Sequence, residues 1–294
     1  MPTMNPKRRP FSVRLGRSML LAVIAFLPTP RLCQAAADAP LPTDVPESPY
    51  HLQLDFRYMY GNADGSLQTP SGGEPGTTSA NRPNLGEIGI DHANIFDGSL
   101  TLQLEPHIFT FGAQIIHMDG SATLDRDLLS QSAFFPAGTS VNSKVHLDWY
   151  RVGYQYEFWF NEFRIAPGIE GVLLDFHYQL DGTSGGAPGM SADRSYIKGG
   201  MRIGGSAEWV VSEGGRLSIE GSAWWGVPID NTAQISSYDI VAKWQLWGYR
   251  HASGGAAYAG VAFETIEYED NQTVPNHINI DFGPMVIAGL QVRF

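Results

Sequence analysis

The sequence has little cysteine and little charge. One cysteine, Cys33, occurs in 294 residues, so no disulfide can form within the chain. Charged residues make up 17% of the sequence, yet no stretch approaches the roughly 20 apolar residues that a membrane-spanning helix needs. These shortages exclude a disulfide-stabilised secreted scaffold and a helical membrane protein.

Basic residues are also scarce, with 19 Lys and Arg against 30 Asp and Glu and a net charge of −11. Nucleic-acid binding needs clustered Lys and Arg, and no such cluster follows residue 37. A nucleic-acid partner is therefore excluded. The apolar content of 43% and the mean hydropathy of −0.15 exclude a wholly disordered chain.

The first 37 residues have the three parts of a secretory signal peptide. An apolar stretch at residues 19–27 separates a basic N-terminal region from the small-residue sequence at 35–37. We interpret residues 1–37 as a cleaved signal peptide. Its removal leaves 13 basic against 30 acidic residues, a net charge of −17, and no cysteine.

Residues 38–49 contain four prolines and predict an extended periplasmic linker. From residue 50 onward, apolar residues recur at every second position, which is the period of a β-strand. The longest alternation lies at the C-terminus. Its apolar members, expected on one face, are Ile278, Ile280, Phe282, Pro284, Val286, Ala288, Leu290, Val292 and Phe294.

Other segments alternate in the same way. They lie at residues 51–60, 150–158, 197–211, 217–227 and 240–246. A soluble β-sandwich with its apolar faces inward accounts for each strand taken alone. Aromatic residues crowd the strand ends, and charged residues occupy mid-strand positions in the polar phase, which favours a barrel with lipid outside.

The last strand resembles the C-terminal strand of Gram-negative outer-membrane β-barrels. Leu290, Val292 and the terminal Phe294 carry this resemblance, as the insertion signal that the barrel-assembly machinery reads. It implies an all-β fold, a closed antiparallel transmembrane β-barrel over residues 50–294, located in the outer membrane. The partners implied are outer-membrane lipid, lipopolysaccharide and the assembly machinery.

The predicted connections alternate long and short, as expected when one barrel end faces outward and the other faces the periplasm. Five long outer loops and four short periplasmic turns predict about ten strands, within a range of 8–12. Residues 84–98 are ambiguous. They form a strand, an extension above the membrane or a loop folded into the lumen.

The polar phase of the strands predicts a nearly balanced set of lumen-facing charges. Its members are Asp55, Arg57, Arg151, Glu157, Arg164, Glu170, Lys198, Arg202, Glu208, Glu220, Lys243, Glu264 and Asp281. In a narrow barrel, these charges either pair across the lumen and hold the wall or line a narrow water-filled pore. The sequence leaves both interpretations open.

A second polar set is predicted on the outward wall near the outer membrane edge. The turn at residues 161–162 sets a register that pairs His146 with His177 and Asp148 with Asp175. Facing carboxylates repel each other unless a cation or a proton lies between them. We therefore expect either simple surface polarity, a metal site or a catalytic site. The acidic outer loops are a further place for a divalent cation, and no other cofactor is predicted.

Motifs of the common hydrolases and nucleotide-binding proteins are missing from the sequence. The functional prediction is a non-enzymatic outer-membrane barrel, acting as a small porin-like channel or as a structural and surface-interaction protein. The alternative is an outer-membrane hydrolase with a rim active site, for which His107, His117 and His251 are candidates. The oligomeric state stays open.

Overall fold

The computed structural model describes residues 50–69, 82–131, 133–183, 189–212, 215–248, 253–272 and 275–294. The predicted signal peptide and proline-rich linker lie outside these residues. Within the described parts of the chain, no helix is long and apolar enough to cross a membrane.

The described residues form thirteen strands and one short 3-10 turn, Gly86–Ile88. The strands are β1 (His51–Gln68), β2 (His92–Leu104), β3 (His107–Thr123), β4 (Leu128–Ser130), β5 (Ala133–Phe135), β6 (Ser140–Tyr156), β7 (Phe158–Phe160), β8 (Phe163–Thr183), β9 (Met190–Val210), β10 (Leu217–Gly226), β11 (Gln234–Gly248), β12 (Gly254–Glu269) and β13 (His277–Arg293).

Ten of the described strands form one closed antiparallel barrel, which confirms the predicted fold class. The order around the wall is β1, β2, β3, β6, β8, β9, β10, β11, β12 and β13, and β13 pairs again with β1. The short β7 continues β6 along the edge of β8, and β4 and β5 form a separate hairpin. Closure leaves no open edge on the main wall.

Short and long connections lie at opposite ends of the barrel, as predicted. The turn end carries the connections at 105–106 and 161–162, the last residues of β9 and β11, the first residues of β10 and β12, and Tyr50 and Phe294. The loop end carries the connection at 227–233, the last residues of β1, β3, β8 and β12, and the first residues of β2, β6, β9 and β13. The hairpin formed by β4 and β5 belongs to the loop end.

The two halves of the barrel have opposite polarity. In the turn-end half, large apolar side chains such as Phe56, Val152 and Ile203 are exposed on the outer face. In the loop-end half, the outer face is mainly polar, with Ile197 as an exposed apolar exception, and most apolar side chains point inward and are buried. Leu174 and Phe176 belong to this inner core. Two oppositely organised layers are thus stacked along one barrel.

A bulge in β13 produces this reversal on that strand. Between the residues that pair with both neighbouring strands, β13 has one residue more than β1 or β12, at Gly283 and Pro284. Because side chains alternate with period 2, one extra residue exchanges the two faces.

The predicted single apolar face of β13 is therefore wrong. Ile278, Ile280 and Phe282 are buried inside the barrel, whereas Val286 and Leu290 are 65% and 56% exposed on the outside. Both groups are apolar, so their pattern continues without interruption through the bulge although the face changes.

The ambiguous residues 84–98 divide into two parts. Residues 92–98 belong to β2, which begins earlier than predicted. Residues 82–91, here called the plug segment, fold into the loop-end core, where Leu85, Ile88 and Ile90 are fully buried. The lumen-loop alternative was thus correct for the plug segment.

Candidate functional site

The turn-end half of the lumen holds most of the predicted charged side chains. Asp55, Arg57, Arg151, Arg164, Glu170, Arg202, Glu208, Glu220, Lys243 and Glu264 lie on the inward phase of their strands, and Glu157 is buried between β6 and β7. Lys198 also has the inward phase, but it lies in the loop-end half, where it pairs with Leu174 and donates to Asn231 at 3.1 Å. Asp281 lies on the outer face instead, because the β13 bulge reverses its direction. Its carboxylate accepts a hydrogen bond from Thr265 at 2.8 Å.

The tightest group of charges surrounds Asp97 on β2. The two terminal guanidinium nitrogens of Arg151 donate to the two carboxylate oxygens of Asp97, at 2.6 and 2.8 Å. Arg57 lies among three carboxylates, with nitrogen–oxygen distances of 3.6 Å to Asp55, 3.8 Å to Asp97 and 3.5 Å to Asp239. This arrangement links β1, β2, β6 and β11 across the lumen.

A second group lies at the boundary with the apolar core. Arg202 donates to Glu170 at 2.5 Å, and its guanidinium stands over the ring of Trp149 at 4.5 Å. Glu264 accepts two hydrogen bonds from the Gln114 amide, at 2.7 and 2.8 Å, and one from the indole of Trp149. Every one of these side chains is buried, so the lumen is filled at this level.

A third group lies nearer the turn end. Lys243 donates to Glu220 at 2.5 Å, while Arg164 lies 3.5–3.6 Å from Glu157, Glu208 and Glu220. Gln103 donates to the other oxygen of Glu157. Buried opposite charges at these distances stabilise one another and hold the facing strands together.

The side chains that sequence reasoning missed include Asp97, Asp239 and Tyr258, whose hydroxyl donates to Asp55. The uncharged Gln103, Gln114 and Trp149 were missed as well. Asp97 was missed because β2 was thought to begin after it. Asp239 lies on the same face of β11 as Lys243. Extending the predicted alternation at 240–246 back to residue 239 would have included it. Tyr258 was missed because aromatic residues were assigned to the outer wall.

The space left between these groups is small. A cavity of about 170 Å³ lies among the charged residues, and a second of about 60 Å³ opens toward the turn end between Glu157, Glu208 and Arg216. The larger cavity has room for roughly ten water molecules. The apolar core and the plug segment close the lumen at the loop end.

The plug segment is fixed by backbone and side-chain bonds. The amides of Ala63 and Leu67 donate to the carbonyls of Asp91 and Pro83, and the Ser143 hydroxyl donates to the carbonyl of Ile88. These bonds attach it to β1 and β6, so it packs as part of the core.

At the surface of the plug segment, Arg126 donates to Glu87 at 2.7 and 3.2 Å. Partial burial alone would raise the pKa of Glu87. The hydrogen bonds from Arg126 and from the Asn84 amide, together with the Arg126 charge, outweigh burial and lower this pKa below its ordinary value.

The predicted outer-wall pairs have the expected register, with His146 opposite His177 and Asp148 opposite Asp175. All four lie on the outward phase of the loop-end half. A third histidine, His117, pairs with His146 from β3 and was not included in the predicted set. No three His, Cys, Asp or Glu side chains in the described residues are arranged to hold a metal ion.

The residues of the predicted insertion signal end the barrel wall at the turn end. Leu290 and Phe294 are exposed on the outer face, and Val292 shares their phase. Phe294 and Leu52 exchange two backbone hydrogen bonds, at 2.8 and 3.3 Å. The terminal residue therefore takes part in the closure of the barrel.

Comparison with known proteins assigns no family to the chain. No family model matches, and no curated protein matches. Two similar solved structures are a Pseudomonas aeruginosa FadL homologue and the COG4313 outer membrane channel from Pseudomonas putida F1.

The first structure is 9% identical, with 83% of this chain and 90% of that chain covered and a TM-score of 0.27. The second is 10% identical, with 87% and 100% covered and a TM-score of 0.36.

Proposed function

We propose that the chain is an outer-membrane β-barrel of the structural or surface-interaction kind, whose turn-end half lies in the bilayer and whose loop-end half extends into external water. The reversal of polarity between the two halves carries this proposal. An apolar outer face with charges inside suits lipid, and a polar outer face with an apolar core suits water.

The strand lengths support this division. A tilted strand crosses a bilayer with about 9–11 residues, whereas β8 and β9 each have 21 residues. About half of each strand is therefore available outside the membrane. The polar outer residues of that half, including Asp119, Asn142 and Asp193, face water or lipopolysaccharide headgroups in this arrangement.

The filled lumen favours a sealed barrel over an open porin. Ion pairs cross the turn-end half, and the loop-end half is occupied by side chains that are fully buried. The interpretation of paired charges that hold the wall therefore has more support than a water-filled pore. A non-enzymatic role on the cell surface, through the loop end, follows from it.

A gated channel is the second candidate, because a polar cavity reaches the middle of the barrel and the plug segment lies beyond it. The hydrolase alternative has less support. The side chains of His107 and His117 are bonded to Tyr154 and Asp148, neither of which is a nucleophile of the serine type. His251 lies outside the described residues.

Planar-bilayer recordings separate the two leading candidates. The sealed barrel predicts no conductance steps from the wild type or from a Leu85→Asn/Ile88→Asn variant whose plug segment is loosened. Steps from the variant alone identify the plug segment as a gate, and steps from the wild type refute the sealed barrel. Folding of each sample is checked by SDS gel electrophoresis, in which a folded barrel migrates faster before boiling than after it.

The hydrolase alternative has its own test. Unchanged membrane-lipid profiles in cells that express the protein count against it.

A further inference from the structure

Three histidines form a row across neighbouring strands on the outer wall. His117 on β3 pairs directly with His146 on β6, which pairs directly with His177 on β8. The ring centroids are 4.0 Å apart between His117 and His146, and 5.6 Å apart between His146 and His177. These three residues are called the histidine row.

A carboxylate is hydrogen-bonded to one outer ring of the histidine row, and a second carboxylate lies near the other. Asp148 is fixed by the backbone amide of Ile116 at 2.9 Å, and its other oxygen lies 3.2 Å from Nε2 of His117. Nε2 of His177 lies 3.8 Å from a carboxylate oxygen of Asp193. A carboxylate on one ring nitrogen fixes the tautomer and leaves the other nitrogen to face an ion, which is the usual arrangement of metal-binding histidines.

The charges around the row favour a cation. Asp148 and Asp175 face each other across β6 and β8, while Asp119 and Asp193 lie on the outward phase of β3 and β9. Lys144 is the nearby cation on β6. Carboxylates that face each other repel unless a positive charge lies between or beside them.

We propose that the histidine row binds one transition-metal ion of the Zn²⁺ or Ni²⁺ class, with His117, His146 and His177 as ligands and Asp148 as the residue that positions His117. The metal site is independent of whether the barrel is sealed or gated. Imidazole nitrogens are preferred ligands for these ions.

Binding requires the rings to turn from the orientation described above. His117 and His177 side chains are 49% and 36% exposed, so solvent leaves space for both rings to tilt toward His146. Neighbouring strands lie about 4.8 Å apart, and a zinc–nitrogen bond is about 2.0–2.1 Å. An ion above His146 is therefore within reach of the imidazoles on both sides.

The test is titration of the detergent-folded barrel with Zn²⁺ in a calorimeter, using protein purified without a histidine tag. We expect one ion per chain. His146→Ala is expected to abolish the binding, and Asp148→Asn to weaken it by about 10- to 100-fold. His107→Ala is the matched control, because His107 lies on the same strand as His117 but at the turn end.

Three results overturn the proposal: no Zn²⁺ heat in the wild type, equal binding by the His146→Ala and His107→Ala variants, or an Asp148→Asn variant with unchanged affinity. Each variant is first checked for folding by heat-modifiable gel migration. If His146→Ala does not fold, His146→Gln replaces it, since the amide keeps much of the side-chain volume while lacking the imidazole.

Discussion

Arg151 on β6 reaches across β3 to form its paired hydrogen bonds with Asp97 on β2. The side chain passes over Gly112, and a Cβ atom at that position would lie 2.6 Å from the guanidinium carbon of Arg151. Glycine at 112 is therefore what lets a long side chain lie flat against the lumen wall. This ion pair connects strands that are not themselves paired.

Removing one partner of this pair leaves a charge buried without compensation. We expect Arg151→Ala to lower the free energy of unfolding by about 3–5 kcal/mol. Urea unfolding followed by tryptophan fluorescence in lipid vesicles measures the change. Asp281→Asn is the control, since Asp281 is exposed and hydrogen-bonded to Thr265. Equal effects of the two substitutions would contradict a structural role of the lumen pair.

The outer face of β9 tests the boundary between lipid and water. Ile203 lies in the apolar half and Ser195 in the polar half, and both point outward. We expect Ile203→Arg to destabilise the barrel in vesicles by about 2–4 kcal/mol, as arginine does near a bilayer midplane. Ser195→Arg is expected to change stability by less than about 0.5 kcal/mol. Similar values for both would show that the two positions share one environment.

Gly89 tests how tightly the plug segment fits. Its φ of +81° lies in the left-handed region, and a Cβ atom would lie 2.6 Å from the carbonyl carbon of Ser121. Gly138 is a matched control, with a φ of +82° and no atom within 4 Å of the place that a Cβ would take. Gly138→Ala is expected to cost about 1 kcal/mol from backbone strain alone.

Gly89→Ala is expected to cost clearly more, by about 1–3 kcal/mol, because it adds overpacking. Hydrogen exchange at Ile88 and Ile90 should also become faster in this variant. Unchanged exchange would mean that the plug segment accommodates the added methyl group despite its close contact with β3.

Acid should loosen the plug segment through Glu87. The folded-state pKa of this carboxyl is lowered, so its contribution to stability is present above the ordinary glutamate pKa and is lost as the pH falls through the folded value. Because the pair with Arg126 is partly exposed, the contribution is at most about 1 kcal/mol. Hydrogen exchange of the plug segment is measured from pH 6 to pH 3.

The difference between the wild type and Glu87→Gln isolates this effect from other carboxyl groups. We expect the wild-type segment to be better protected at pH 6 and its advantage to shrink as the pH falls below the ordinary glutamate pKa. An advantage that does not change between pH 6 and pH 3 would assign the protection to something other than the Glu87 charge.

The fold could be predicted from the sequence because strand periodicity and connection length are local signals. The alternation of Leu217, Ile219 and Ala223, for example, identifies the outer face of β10 without knowledge of its neighbours. The same reasoning located Arg151, Glu170 and Arg202 in the lumen. Their precise partners depend on which strands the closed barrel brings opposite each other.

The apolar core could not be predicted in the same way. Periodicity separates two faces of a strand but does not say which one is inside, and Ile278 and Leu290 are equally apolar. Their assignment depends on whether lipid or other side chains surround them. The bulge at Gly283 and Pro284 also hid the change, because an apolar residue occupies the expected position on each side of it.

In the proposed arrangement, that bulge affects how deeply β13 lies in the bilayer. The position of the additional residue sets the level on β13 at which the outer face changes from apolar to polar. Moving the bulge by two positions toward His277 would extend the outward-facing apolar band of β13 by about 7 Å toward the loop end. Pairing β13 without a bulge, with its sequence unchanged, would turn Asn279 and Asp281 toward the apolar core.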